Sequence, residues 1–505
     1  MKRFVSILWD SGNPSDTASA PSDSIIDLNL EQVFVLAGAT KHKAAHHRPL
    51  RDVSLVRYRQ QVFNDLQDEA VSRAFETFVA GMSSVRQHLE RARKLTNPRQ
   101  SDRWQLDAET LYCRTVLDLH AALRELPLSG EGLRQWRDWL AEYVDGPNFG
   151  GLLADEAHVR AALDEVRYTV HVNGRHLVID RYAGQSDYSD VIAAAFARFG
   201  VDDDADRQRF FDPWPDMNVV EEQVIALVAD QQPGPFQQLE GHARHYREFI
   251  DPVLGRFDAE LHFYLDYLWM VREFDKHGLA FCLPEVTEGF AGMYAEGAYD
   301  AALVPKLIKS KVSVVRNDFR LEGAERAIVV TGPNQGGKST FARMFGGLAY
   351  LAALGCPVPA TRARLPLPDN IFTHFVREDD ISDAEGGLAR ELARLHDILA
   401  DITASSLVVL NESLSTTTVS DATRLGGEVL RRIVERGAVA VYVTFLEELA
   451  ELGPEVVSMV AGVDSADDAI RTFRVERRLP DGLAHAAVVA ERHGLTYDAI
   501  RARVR

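Results

Sequence analysis

The chain has 505 residues, room for about three domains, and its 46% hydrophobic and 26% charged residues are ordinary for a globular chain with more than one core. A formal net charge of −19 repels phosphate polymers at long range, so any nucleic-acid contact has to come from a local basic patch. Three scattered cysteines (Cys113, Cys282, Cys356) exclude a disulfide framework and a zinc ribbon, and the apolar runs are too short for a secretory signal or a membrane-spanning helix, which points to a cytoplasmic protein with no membrane partner.

Residues 1–50 read as an N-terminal strand, Phe4 to Trp9, followed by a linker whose Ser/Pro/Asp content over Asp10 to Ser24 marks a loop. The tract Lys41-His42-Lys43 with His46-His47-Arg48 suits a metal or phosphate contact, but a solvated loop is the better reading. From about 52 to 165 the apolar spacing is helical, with Met82, Val85 and Leu89 on one face and prolines confined to Pro98, Pro127 and Pro147. The period then switches to alternation. Residues 168–182 predict a β-hairpin turning at Asn173-Gly174, where both positions accept positive φ. Asp202-Asp203-Asp204 and Asp212-Pro213-Trp214-Pro215 mark a connection. A helical stripe resumes with Tyr246, Phe249, Ile250, Val253, Phe257, Leu261, Tyr264, Leu265, Leu268 and Val271, which Pro252 has to kink or restart. His242 and His245 lie on this stretch without an evident third metal ligand.

After about residue 310 the pattern becomes α/β. Ala327-Ile328-Val329-Val330, Leu407 to Leu410 and Val439 to Val443 are short apolar strands separated by helical segments, as in a parallel sheet buried on both faces. The first strand runs into Gly332-Pro333-Asn334-Gln335-Gly336-Gly337-Lys338-Ser339, with Thr340 and a helix after it. Glycines let backbone N–H groups converge on phosphates, Lys338 can reach the terminal phosphates, Ser339 can ligate Mg²⁺, and the helix N-terminus favours negative charge. The second strand delivers Asn411-Glu412 to its carboxyl end. Glu412 is placed to orient or deprotonate an attacking water, and the Asn411 carbonyl to accept from a Mg²⁺-bound water. ATP and Mg²⁺ are therefore the expected cofactors. Lys306, Lys309, Lys311 and Arg316 form a basic run before the first strand; a solvated face suits it better than a DNA contact.

Thr331 to Thr340, TGPNQGGKST, resembles the phosphate loop of the MutS mismatch-repair ATPases, of form TGPN-x-GGKST. The resemblance extends through Asn317-Asp318, Ile371-Phe372-Thr373, Asp379-Asp380, Asn411-Glu412, Asp421 after Ser415 to Thr418, and the tail at Gly482-Leu483-Ala484 and Gly494-Leu495-Thr496. Upstream, Arg57-Tyr58-Arg59-Gln60 and the helices of 236–275 are similar to the family's core and lever region. The resemblance implies a helical core, lever and clamp region over 51–305 and a P-loop (ABC-type) ATPase domain with a mainly parallel sheet over 306–505. It also implies a homodimer whose ATPase domains pair head to tail, and DNA, duplex or branched, as the partner. The first 50 residues hold neither the family's mismatch-reading domain nor a Phe-x-Glu wedge. The resemblance is thus to a shortened MutS-like protein, and recognition of DNA structure rather than of a mismatch is expected. Asn411 replaces the family's Asp, Phe445 stands in place of its switch His, and Gly386 in place of a Ser aimed at the partner's γ-phosphate. These changes leave ATP binding intact and the rate of hydrolysis open. The function expected is an ATP-switched clamp in mismatch or recombination-type DNA repair. The alternative is a nucleotide-gated protein scaffold that hydrolyses ATP weakly and binds no DNA.

Overall fold

The computed structural model describes residues 6–10, 22–38, 48–174, 176–185, 217–376, 384–463, 471–480 and 500–501. Lys41 to His47, the acidic connection of 202–215, Asp379-Asp380 and the two tail motifs lie outside them. The chain forms two compact units. One comprises Met1–Asp68, Leu128–Arg134 and Ala259–Arg505, the other Glu69–Pro127 and Gln135–Asp258. Their borders differ from the expected 50 and 305: the first 68 residues belong with the C-terminal part.

The reason lies in the first described residues. Ser6 to Trp9 is not a strand but an irregular segment sunk into the core, with Ile7 and Leu8 fully buried. Its polar groups are matched one by one. Glu260 accepts from Ser6 Oγ at 2.7 Å and from Ile7 N at 2.9 Å. Tyr58 and Tyr264 donate to the Ser6 and Ile7 carbonyls. The buried Arg59 donates to Leu8 O at 3.2 Å and Leu354 O at 3.0 Å, and lies 4.6 Å from the Trp9 ring. Burial holds its guanidinium below the usual value. An arginine in such a place is tolerated because its Nε and Nη1 find carbonyls and its plane finds an aromatic face, although its Nη2 is buried without a hydrogen-bond partner.

The helical unit is built on Glu69–Lys94 and Pro98–Glu125. Asn97 caps the second, its Oδ1 accepting from Arg99 N and Gln100 N, with Pro98 pre-set for the first turn. Phe75, Phe78, Met82 and Val85 form the buried stripe of the first helix. Phe257, from the helix Pro252–Asp275, stacks on the buried Trp136 at 3.6 Å and meets Phe75 and Phe78 with tilted rings. Pro252 starts this helix, after the preceding one, Pro233–His245, has ended. His242 pairs with the buried Glu109 and not with His245, and among the described residues no His/Cys/Asp/Glu group could hold a metal. The hairpin joins β1 (Tyr168–Asn173) and β2 (His176–Arg181). Asn173 pairs with His176, so the turn falls one residue later than Asn173-Gly174, and Gly174 alone of the predicted pair takes positive φ, at 62°. Asn173 finds a ladder partner, which outweighs its turn preference.

In the other unit β3 (Glu285–Thr287), β4 (Met293–Ala298), β5 (Asn317–Leu321), β6 (Ala327–Thr331), β7 (Arg362–Pro366), β8 (Ile371–Phe375), β9 (Leu407–Asn411), β10 (Val439–Val443), β11 (Val456–Val463) and β12 (Arg471–Arg477) make two sheets among the described residues. The larger has the order β12-β11-β6-β10-β9-β8, parallel throughout except for β12. The smaller has the order β3-β7-β4-β5. Every residue of β6, β8, β9 and β10 is buried, as a parallel sheet covered on both faces requires. Val408 and Leu410 pack against the helices Ala384–Asp401 and Val419–Glu435 through Leu395, Ile398, Leu430 and Ile433. Val409, on the opposite pleat, lies under Gly346 of the helix Lys338–Ala353, where a Cβ would meet its methyl at 3.1 Å. With β10 between them, β6 and β9 present their carboxyl ends at the same edge of the sheet. Among the described residues no helix is long and apolar enough to cross a membrane.

Candidate functional site

At that edge the chain leaves β6 through Gly332, whose φ is 107°. A Cβ there would stand 2.9 Å from Ala461 O on the neighbouring β11, so only glycine fits. Gly337, with φ 93°, turns the chain into the helix Lys338–Ala353. Lys338 is folded back over the loop and is 4% exposed. Its Nζ donates to Gly332 O at 2.8 Å, Pro333 O at 3.3 Å and Asn334 Oδ1 at 3.2 Å. Burial lowers its pKa, Glu412 opposes that, and Arg471 adds to it. The loop thus holds one desolvated ammonium on three of its own oxygens, a cation placed to meet a multiply charged anion.

The facing wall comes from β9. Asn411 ends the strand, and Glu412 then takes φ 55°, the left-handed region, while its N–H donates to Val443 O at 2.8 Å. That twist turns the side chain off the strand's alternation and into a cavity of about 600 Å³. Asn334, Gln335, Gly337, Lys338, Ser339, Thr340 and Glu412 all line this cavity. Gly332, Pro333 and Gly336 shape the turn beneath it. Asn411 is buried at the strand end, and its Oδ1 has no hydrogen-bond partner; nor does the Thr331 Oγ1 on β6. Buried polar atoms left unmatched at a phosphate-loop edge fit a hydrated cation bridged by water. Two oxygens of this kind, the Ser339 hydroxyl and the Glu412 carboxylate are a suitable donor set for Mg²⁺, and the Lys338 ammonium suits a polyphosphate. Phe445 follows β10, half exposed and away from the cavity lining, and Gly386 falls in the first turn of Ala384–Asp401.

Most of the rest of the cavity is apolar and escaped the sequence. Leu303, Leu307, Val312 to Val315 and Phe473 of β12 line it. Phe473 has φ 58°, and Asn317 ties it in place, its Nδ2 donating to Phe473 O at 3.3 Å while its Oδ1 accepts from Val475 N at 2.7 Å. An apolar slot beside a phosphate cradle, of this size, suits a nucleoside. Asp300 also lines it, capping the turn Ala301–Leu303 through Ala302 N at 3.0 Å. Burial pushes its carboxyl up to about 6, against the lowering effect of the capped N–H groups and Arg343. In the unfolded chain the same group ionises near 3.8, so over that interval the folded state holds the extra proton and stability falls as pH rises. Asp300→Asn keeps a capping oxygen and removes this cost. Its advantage over the parent should grow between pH 4 and pH 6 towards at most about 3 kcal/mol and then level off, measured by urea denaturation at each pH.

Comparison with known sequences agrees with this geometry. MutS domain V matches residues 328–492. The DNA mismatch repair protein MutS of Chlorobium phaeovibrioides is 31% identical over 229 residues, 44% of this chain and 26% of that protein. The MutS of Orientia tsutsugamushi (strain Boryong) is 31% identical over 185 residues, 36% of this chain and 21% of that one. The MutS of Thermotoga maritima is 35% identical over 138 residues, 27% of this chain and 17% of that one. The chain thus spans about a quarter or less of the length of these curated relatives.

Proposed function

We propose that this chain, which belongs to the MutS family through its C-terminal ATPase domain, is an ATP-switched DNA-binding protein of DNA repair that senses DNA structure, working as a homodimer through its ATPase domains. The observation that carries the reading is the convergence of Lys338, Ser339 and Glu412 on one nucleotide-sized cavity at the carboxyl edge of the parallel sheet. Lys338 and the loop amides hold the phosphates, and the slot lined by Val312 to Val315 and Phe473 takes the nucleoside. Ser339 Oγ and Asn411 Oδ1 would hold Mg²⁺, which would neutralise charge on the phosphates. Glu412 accepts the proton of the attacking water or orients it. Binding energy that differs between nucleotide states can then select between conformations of the helical region, and so between DNA affinities.

The test is a titration of duplex, mismatched and branched DNA by fluorescence anisotropy at physiological salt, with ATP, with ADP and without nucleotide. A nucleotide-dependent affinity for one of these DNAs is expected. No binding in any state would remove DNA from the reading and leave the second one, a nucleotide-gated protein scaffold, which the net charge of −19 favours.

Asn411 makes a separate prediction. Asn411→Asp puts a charge beside the water-bridged cation, and the Mg²⁺ concentration for half-maximal ATP binding should fall roughly tenfold. Without nucleotide the same variant buries an unpaired carboxylate and should be less stable than the parent in thermal melts.

A further inference from the structure

We infer that Glu391 is a positioning residue for Glu412, holding the loop that aims the carboxylate and tying that loop to the helix Ala384–Asp401. The inference rests on the reading of Glu412 as the group that activates water. Glu412 and Leu414 are both in the left-handed region, with φ of 55° and 65°. Side chains other than glycine rarely adopt it, so a loop with two such residues does not hold its own shape. The contacts that hold it can be named. Glu412 N donates to Val443 O at 2.8 Å, and Tyr442 OH donates to Ser413 O at 3.2 Å. His374 Nδ1 and Ser413 Oγ are hydrogen-bonded at 2.8 Å. These contacts come from β10 and β8, inside the sheet.

Glu391 is different because it comes from a helix. Its carboxylate is 4% exposed and grips both sides of the loop's bend. Oε1 accepts from Leu414 N at 3.2 Å, and Oε2 accepts from Thr416 Oγ1 at 2.9 Å. The left-handed turn at Leu414 is what directs its amide at the helix, so the hydrogen bond and the strained backbone depend on each other. Leu395 and Ile398, further along the same helix, fix it to the sheet core. A buried carboxylate that meets a backbone amide and a hydroxyl is a rigid clamp. A shift of the first turns of Ala384–Asp401 therefore reaches Glu412 through one side chain. The clamp acts on the orientation of Glu412 and leaves the cradle around Lys338 alone, so it should govern turnover and spare nucleotide binding.

The full-length protein is compared as parent, Glu391→Ala, Glu391→Gln and Thr416→Val. Measured are kcat and KM for ATP, affinity for a fluorescent ATP analogue, and hydrogen exchange of the Leu414 amide. In Glu391→Ala, kcat should fall at least roughly tenfold while KM and analogue affinity stay within about twofold, and the Leu414 amide should exchange faster. Gln keeps an acceptor for Leu414 N and a partner for Thr416, so Glu391→Gln should restore kcat to within about threefold of the parent. Thr416→Val removes one of the two contacts and should lie between. Unchanged kcat in Glu391→Ala, a loss confined to nucleotide affinity, or no rescue by Gln overturns the inference. Absence of ATP turnover in the parent instead overturns the catalytic reading of Glu412. The exchange of Leu414 still decides then whether Glu391 holds the loop.

Discussion

Glu412→Gln should lower ATP turnover by about a hundredfold or more, the contribution of a well-placed general base, and leave nucleotide binding in place. The substitution preserves size and removes charge. Glu412 faces Lys338 closely enough to raise its pKa, so its own negative charge stands near the phosphates' position. Taking it away relieves repulsion, and ATP affinity should hold or tighten. The variant should therefore collect in the ATP-bound state, visible as nucleotide that stays with the protein through rapid gel filtration. Glu412→Gly separates chemistry from folding. At φ 55° glycine is unstrained where glutamate is not. This variant should melt no lower than the parent yet be as inactive as the Gln one. Turnover equal to the parent in either variant would mean that Glu412 is not the catalytic carboxylate.

What could be read in the sequence was what the chain keeps contiguous. Thr331 to Thr340 carries its own strand end, turn and helix start, so its residues define the cradle before any packing is known. Asn411-Glu412 was legible because the apolar run Leu407 to Leu410 can only be a buried strand, and such strands deliver polar residues at their carboxyl ends. Asp300, Val312 to Val315 and Phe473 join the cavity from segments far apart in the chain, and nothing local marks them. Phe473 belongs to Arg471–Arg477, a strand too polar to announce itself, and it lines the cavity with its backbone in the left-handed region. Glu391 reads as one more charge on an amphipathic helix until Leu414 N and Thr416 Oγ1 are seen to meet it. Ser6 to Trp9 looked like a strand because its residues are apolar. They are apolar because they are buried, and the partners that bury them, Arg59, Glu260 and Tyr264, are too distant in sequence for pattern to reveal.

Lys338→Met should abolish nucleotide binding while changing the stability of the nucleotide-free protein little, and the two effects have separate physical origins. Without nucleotide, Lys338 Nζ donates to Gly332 O, Pro333 O and Asn334 Oδ1 from a buried position. Methionine loses those three bonds. It also ends the desolvation of an ammonium, which is what lowers the lysine's pKa. The losses and the gain are of similar size, so the melting temperature should move by only a few degrees. The sign can be checked by pH. A lysine whose folded-state pKa is lowered leaves the unfolded state holding more protons between that lowered value and 10.5, so parent stability rises with pH there. Lys338→Met should lack that rise. With MgATP the comparison reverses. A ligand at about a hundred times its Kd stabilises by about 2.7 kcal/mol, a thermal shift of several degrees for the domain that binds it. The parent should show this shift, and Lys338→Met should show none, because the charge that answers the phosphates is gone while the loop that held it is intact. An equal shift in both would place the nucleotide somewhere other than the cradle of Gly332 to Thr340.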